Sequence, residues 1–379
     1  MELSDEDHLR LNVLLQNVEA VRIDEQAMVV CGLSPRGEAR VPLNPTCRDD
    51  KYLKLVREFL SGAALGSPRG YPLHLERWTR MGQTKDTYLA ELLMLGEPEA
   101  VAAVVCAEGL TDELARRAWW AAPTAENACH MLRHACVVQG RMGRVLVDYL
   151  VEHLPFETTA GAIIRTVRLL LQSGLLDAPI RQRLWERGAQ KNAYRIGFLA
   201  AVPDDLPERQ AARADLPRHA PALASLARQG NAAAGLLAKL LDSPGQGFLH
   251  TCEAIVTKIG DQDAVVALFN LIGDYFAAAR AGRECGADFM RILAETRAAV
   301  TAADDAGGAA AELRALRAAL PELEAETVAL GSLARVSETL LNPIFAKTTA
   351  SGSLMRRKLE PITQPIVEQF GRLRRAPGG

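Results

Sequence analysis

The sequence predicts a mainly α protein: a HEAT-like helical-repeat body preceded by a small N-terminal α+β module. Three observations carry this expectation. From about residue 82 to 280, stretches of helical length are cut by Gly or Pro stops at Gly96-Glu97-Pro98, Gly109, Pro123, Gly140, Pro155, Gly174, Gly188, Pro203, Gly230, Pro244-Gly245 and Gly260. Only 5% of residues are aromatic while 49% are hydrophobic, so the core is built from Ala, Leu and Val, which favours closely packed helices over sheets. Short strand-like runs bounded by turn residues lie near the N-terminus.

Residues 1–80 read as the α+β module. Ser4 suits the cap of a short helix through Leu15. Val21 to Asp24, Met28 to Leu33 and Glu38 to Leu43 read as strands, with Ser34-Pro35-Arg36-Gly37 as a turn. Tyr52, Leu55, Val56 and Phe59 fall at helical spacing on one face of a helix over Asp50 to Leu60. Residues 81–283 form the repeat-like body, in which Gly96-Glu97-Pro98-Glu99-Ala100-Val101 is echoed by Gly260-Asp261-Gln262-Asp263-Ala264-Val265. Each phrase pairs a Gly suited to a left-handed helix end with acidic residues suited to the next helix start. A solenoid-like stack is preferred here over an irregular helical domain. Residues 284–379 form a helical extension. There Leu313, Leu316, Leu320, Leu323 and Leu330 follow heptad spacing, but Pro321 forbids one unbroken coiled coil and points to a kinked helix or a helix pair. The final segment is basic and interrupted by Pro361 and Pro365.

With 44 basic and 46 acidic residues the net charge is −2, which argues against a whole-surface attraction to nucleic acid or acidic lipid. Met1 to Arg10 is acidic, with no apolar run behind it, so a cytoplasmic address is expected. Apolar runs such as Ala100 to Ala107 fall far short of the roughly 20 residues that span a bilayer, so no membrane insertion is expected. Seven cysteines without a C-x-x-C pair fit reduced thiols.

Phosphate loops, dinucleotide loops, nucleophile elbows and H-E-x-x-H are absent, so the chain reads as non-enzymatic and no cofactor is expected. Asp204-Asp205 and Asp304-Asp305 sit in loop-like sequence, where paired carboxylates simply stay solvated. Cys129-His130-Met131-Leu132-Arg133-His134-Ala135-Cys136 is the densest cluster of ligand types, with His130 and His134 at i, i+4 if the segment is one helix. It lacks the second ligand pair that a structural zinc site draws from another segment, so no metal is expected. Cys285, beside Arg283 and ahead of a helix start, is the candidate reactive thiol, whereas Cys106 at a helix C-terminus is disfavoured as a thiolate. On the helix around Leu110, Leu114 and Ala118, Trp119 flanks the apolar face and Trp120 lies opposite, beside Glu113, Arg116 and Arg117. Trp120 either packs on the next repeat, the preferred reading, or is offered with Arg116 and Arg117 to a partner, either a protein or RNA. Homo-oligomerisation stays open.

LSDEDHLRLNVLLQNVEAVRIDE, LNPTCRDDKYL, GYPLHLERWTRMGQ, LLMLGEPEAVAAVVCAEGLTDELARRAWWAAP and YLVEHLPFET together resemble the DsrS family, which is encoded with the reverse-acting dissimilatory sulfite reductase of sulfur-oxidising bacteria. The likeness is strongest over residues 1–160, thins towards 280 and does not extend to the C-terminal hundred. It implies a cytoplasmic accessory or regulatory protein of dissimilatory sulfur oxidation that acts by macromolecular interaction. It transfers no catalytic or binding residue. Two alternatives stand beside it: sulfur relay through a cysteine persulfide, and a helical interaction scaffold unrelated to sulfur.

Overall fold

The computed structural model describes residues 3–66, 88–282, 288–302, 307–347 and 351–375. It is mainly α with one small antiparallel sheet, in the order β1-β2-β3. The chain divides into two compact units: residues 1–156 with 173–175, and residues 157–172 with 176–379. The boundaries drawn from sequence at 80/81 and 283/284 both lie outside the described residues.

In the first unit, α1 (Asp5–Leu15) is capped as expected: the Ser4 hydroxyl accepts from the Asp7 amide at 3.2 Å. Strands β1 (Ala20–Asp24), β2 (Val29–Ser34) and β3 (Gly37–Pro42) follow, with Val21 opposite Gly32 and Val30 opposite Val41. Gly37 turns the β2–β3 hairpin at φ 121°, a conformation that a side chain would strain. Helix α2 (Asp49–Leu65) lays Tyr52, Leu53, Val56 and Leu60 on Leu11, Leu14, Val21, Val30 and Val41. Burying Asp7 under this core is offset by hydrogen bonds: its carboxylate accepts from the Tyr52 hydroxyl at 2.5 Å and the Asn44 amide at 2.8 Å.

The sheet continues into the first helices of the body, because the Val21 amide donates to the Leu93 carbonyl at 2.8 Å and Arg22 bridges Gly96 in parallel. Helices α3 (Pro98–Cys106), α4 (Asp112–Ala121), α5 (Ala125–Met131) and α6 (Arg141–His153) complete the unit. The start of α6 is capped from afar: the Asp112 carboxylate accepts from the amides of Arg141 and Met142, both at 3.0 Å. Gly140 must be glycine, since a Cβ there would overlap that carboxylate.

The second unit comprises α7 (Ala160–Gln172), α8 (Ala178–Arg187), α9 (Asn192–Ala201), α10 (Leu216–Arg228), α11 (Ala232–Leu241), α12 (Ser243–Val256), α13 (Gln262–Tyr275), α14 (Phe289–Thr301), α15 (Ala309–Ala319), α16 (Glu324–Leu333) and α17 (Gly352–Arg374). Helices α7 and α9 approach closely because Gly197 has no Cβ to meet Val167. Phe248, Phe269, Phe276 and Phe370 are fully buried in this unit.

Two sequence expectations need revision and a third holds. Gly96 is left-handed at φ 68° ahead of α3, but its echo Gly260 is not; there glycine lets the backbone of Gly352 pack close and donate its amide to the Gly260 carbonyl at 2.7 Å. Pro361 and Pro365 do not interrupt the last segment: α17 runs through both, because Met355, Leu359, Ile366, Phe370 and Leu373 are buried along it and outweigh the missing hydrogen bonds. Pro321 does break the heptad run, giving the helix pair α15 and α16 with a 3₁₀ turn at Pro321–Leu323 between them. No helix among the described residues is long and apolar enough to cross a membrane.

Candidate functional site

The polar face of α4 is an ionic lattice. Thr111 caps the helix by accepting from the Leu114 amide at 3.2 Å, which sets Glu113, Arg116 and Arg117 one turn apart on one stripe. Arg116 pairs with Glu113 at 2.6 Å and with Glu19 at 2.7 Å, and Arg117 pairs with Glu113 at 2.9 Å. Hydrogen bonds from these guanidinium groups hold the Glu113 carboxyl down at about 2, against a smaller opposing effect of burial. Trp120 is half-buried, with the Arg22 guanidinium 4.9 Å from its ring centroid. Glu38 on β3 accepts from Arg22 and Arg40, each at 2.7 Å, and also hydrogen-bonds the Trp120 side chain; the Arg40 contact is the main cause lowering its carboxyl. Trp120 therefore packs on the strands of the N-terminal module. The cation over its ring is Arg22, rather than one of its own helix neighbours Arg116 and Arg117.

The cysteine and histidine cluster is not one helix. Helix α5 ends at Met131, His134 is extended at φ −92° and ψ 121°, and a new turn runs Ala135–Val138, so His130 and His134 are not stacked at i, i+4. The Cys136 thiol donates to the Leu110 carbonyl at 3.0 Å, while His130 meets Cys106 from α3, with Sγ and Nδ1 3.3 Å apart. Among the described residues no three His, Cys, Asp or Glu side chains converge as a metal site. Cys285 and Asp304-Asp305 lie outside the described residues. Asp204 and Asp205 are exposed and paired, with Lys239 at 2.6 Å and Arg181 at 2.9 Å respectively.

A groove of about 440 Å³ opens in the second unit between α7, α9 and α13. Its floor is apolar, formed by Ile164, Ile196, Leu199, Ala267 and Leu271. Arg165 and Arg168 stand exposed on the α7 side, and neither makes a hydrogen bond or close ion pair among the described residues. Asp274 and Tyr275 form the other end. Tyr275 is fixed: its ring stacks on Phe248 at 3.7 Å, Lys239 lies 4.6 Å from its centroid, and its hydroxyl donates to Asp204 at 2.9 Å. Burial first, and then the Asp204 charge, push that hydroxyl far up, so it remains a donor.

Sequence reading missed this groove. One signal was available, Arg165 and Arg168 at i, i+3 beside Ile163, Ile164 and Val167, but what lies opposite α7 comes from residues 30 to 110 positions downstream, which no local pattern reveals. No protein-family model matches the chain, and no curated protein or solved structure is similar to it.

Proposed function

We propose that the chain is a non-enzymatic, cytoplasmic accessory protein of dissimilatory sulfur oxidation that works by binding another protein, with the α7/α9/α13 groove as its recognition surface. The pathway rests on the resemblance to the DsrS family. The mode of action rests on one observation: two exposed guanidinium groups, neither in a close ion pair among the described residues, stand over an apolar floor. Such a site suits a protein segment that carries acidic side chains beside an apolar one, because arginine pairs with carboxylates in two-point geometry and the floor takes the apolar group. Two arginines are too few for an RNA backbone, whose binding needs a longer basic track. A HEAT-like reading of the body agrees with this, since helical stacks present open surfaces rather than closed pockets.

Affinity capture from sulfur-oxidising cells, using the parent and an Arg165→Glu/Arg168→Glu variant side by side, tests the proposal. The expected result is a protein of the sulfur-oxidation machinery retained by the parent and reduced about tenfold or more by the variant, with an unchanged melting curve. Equal retention by both, or capture of RNA alone, would overturn it.

A further inference from the structure

The thiol of Cys106 lies against an imidazole. Cys106 is the last residue of α3 and is exposed, and His130 lies in the last turn of α5. Packing of these two helices brings Sγ within 3.3 Å of Nδ1. Four other described thiols are placed differently. Cys31 and Cys252 are buried, Cys136 donates to the Leu110 carbonyl, and the Cys47 thiol faces the Arg48 carbonyl at 3.7 Å. A carbonyl can hold a thiol proton but cannot take it, whereas an imidazole nitrogen can. The exposed Arg133 guanidinium acts electrostatically on the same sulfur, with Glu126 opposing it.

We propose that Cys106, with His130 as its general base, is a thiol–disulfide exchange site that takes up a small disulfide. Attack proceeds as His130 Nδ1 accepts the thiol proton and the Cys106 sulfur bonds to one sulfur of the disulfide R–S–S–R. The S–S bond breaks, and the departing RS⁻ takes the proton back from the imidazolium and leaves as RSH. The products are the Cys106 mixed disulfide and one thiol, so the step needs no other oxidant. Oxidised glutathione is the accessible probe. Desolvation raises the Cys106 thiol, outweighing Arg133, so the resting sulfur keeps its proton. That makes the base necessary: without it, few thiolates exist near neutral pH.

The reduced full-length protein is incubated with oxidised glutathione, the modified cysteine is mapped by peptide mass spectrometry, and the rate is followed from pH 5 to 10. Mixed disulfide at Cys106 is expected, lost in Cys106→Ser and slowed about tenfold or more near neutral pH in His130→Gln. In the parent, the rate should rise as the imidazole sheds its proton and then hold level until the thiol itself ionises. This profile needs no variant, so a misfolded His130→Gln chain leaves the test intact. Modification predominantly at another cysteine overturns the proposal. So does a parent rate that climbs about tenfold per pH unit with no level region, since that is a thiolate reacting without a base.

Discussion

Glu113 concentrates the electrostatics of the α4 face, for its carboxylate accepts from Arg116 and Arg117 together. Its folded-state titration near 2 lies below the ordinary value of 4.5, so its contribution to stability is present above 4.5 and lost as pH falls towards 2. The side chain is 51% exposed, so salt weakens the effect. Glu113→Gln should therefore melt below the parent at pH 7, with the gap closing between about pH 4.5 and pH 2. A gap that persists unchanged at pH 2 would show that the variant loses packing rather than charge. At this scale the sequence was partly legible. A helical wheel separates Trp120 from the apolar face of α4, and the arginines beside it are visible. Glu19, which pairs with those arginines, and Glu38, which bonds the Trp120 side chain, are not, because they lie about 100 and 80 positions upstream in the chain. The pairing of Cys106 with His130, across 24 positions, was hidden for the same reason.

Elements were the most legible level where local chemistry decides them. The Ser4 cap, the three strands and the Ser34 to Gly37 turn all follow from side chains within four residues of each other. Legibility ended where packing overrides propensity, as at Pro361 and Pro365 inside α17, or where a helix breaks without Gly or Pro, as at His134. Glycine shows the distinction quantitatively. Gly273 sits within α13, and a Cβ there would overlap the Val336 carbonyl oxygen, while its own carbonyl accepts from Arg280 Nη2 at 2.9 Å. Arg280 Nε also donates to the Ala334 carbonyl at 2.7 Å, which fixes the backbone on both sides. Gly273→Ala should gain about 1 kcal/mol of helix propensity yet lose more through overlap with immovable backbone, for a net cost of about 1–3 kcal/mol. Gly371→Ala, in α17 with nothing within 4 Å of a built Cβ, should be neutral or stabilise by up to about 1 kcal/mol. Urea unfolding midpoints of the two variants separate the effects. Similar midpoints would mean that α13 can shift away from Val336.

At the scale of the whole chain, each unit has its own core, and the second depends on a helix near the C-terminus. Helix α17 buries Met355, Leu359, Ile366, Phe370 and Leu373, chiefly against α12 and α16. Its end is gripped by a buried ionic group: Arg213 pairs with Asp215 at 2.7 Å and with Glu326 at 2.8 Å, and donates to the carbonyls of Arg372 and Arg375. Gln246, on α12, donates to the Leu373 carbonyl at 3.1 Å. Composition and periodicity suggest a helical extension, but they cannot reveal that its final turns satisfy polar groups supplied from residues 213 and 246. Removing residues 352–379 would delete five large buried apolar side chains and bare the surface they cover, at about 1.5–3 kcal/mol each, on the order of 10 kcal/mol in all. That equals the whole stability of a typical domain, about 5–15 kcal/mol. It would also take from buried Arg213 the carbonyls of Arg372 and Arg375, and from buried Gln246 the carbonyl of Leu373, which adds to the loss. The truncated chain should therefore show no cooperative melting of the second unit and should bind a dye for exposed apolar surface. A sharp transition within a few degrees of the parent would mean that α17 is an appendage, and that the core of the second unit closes without it.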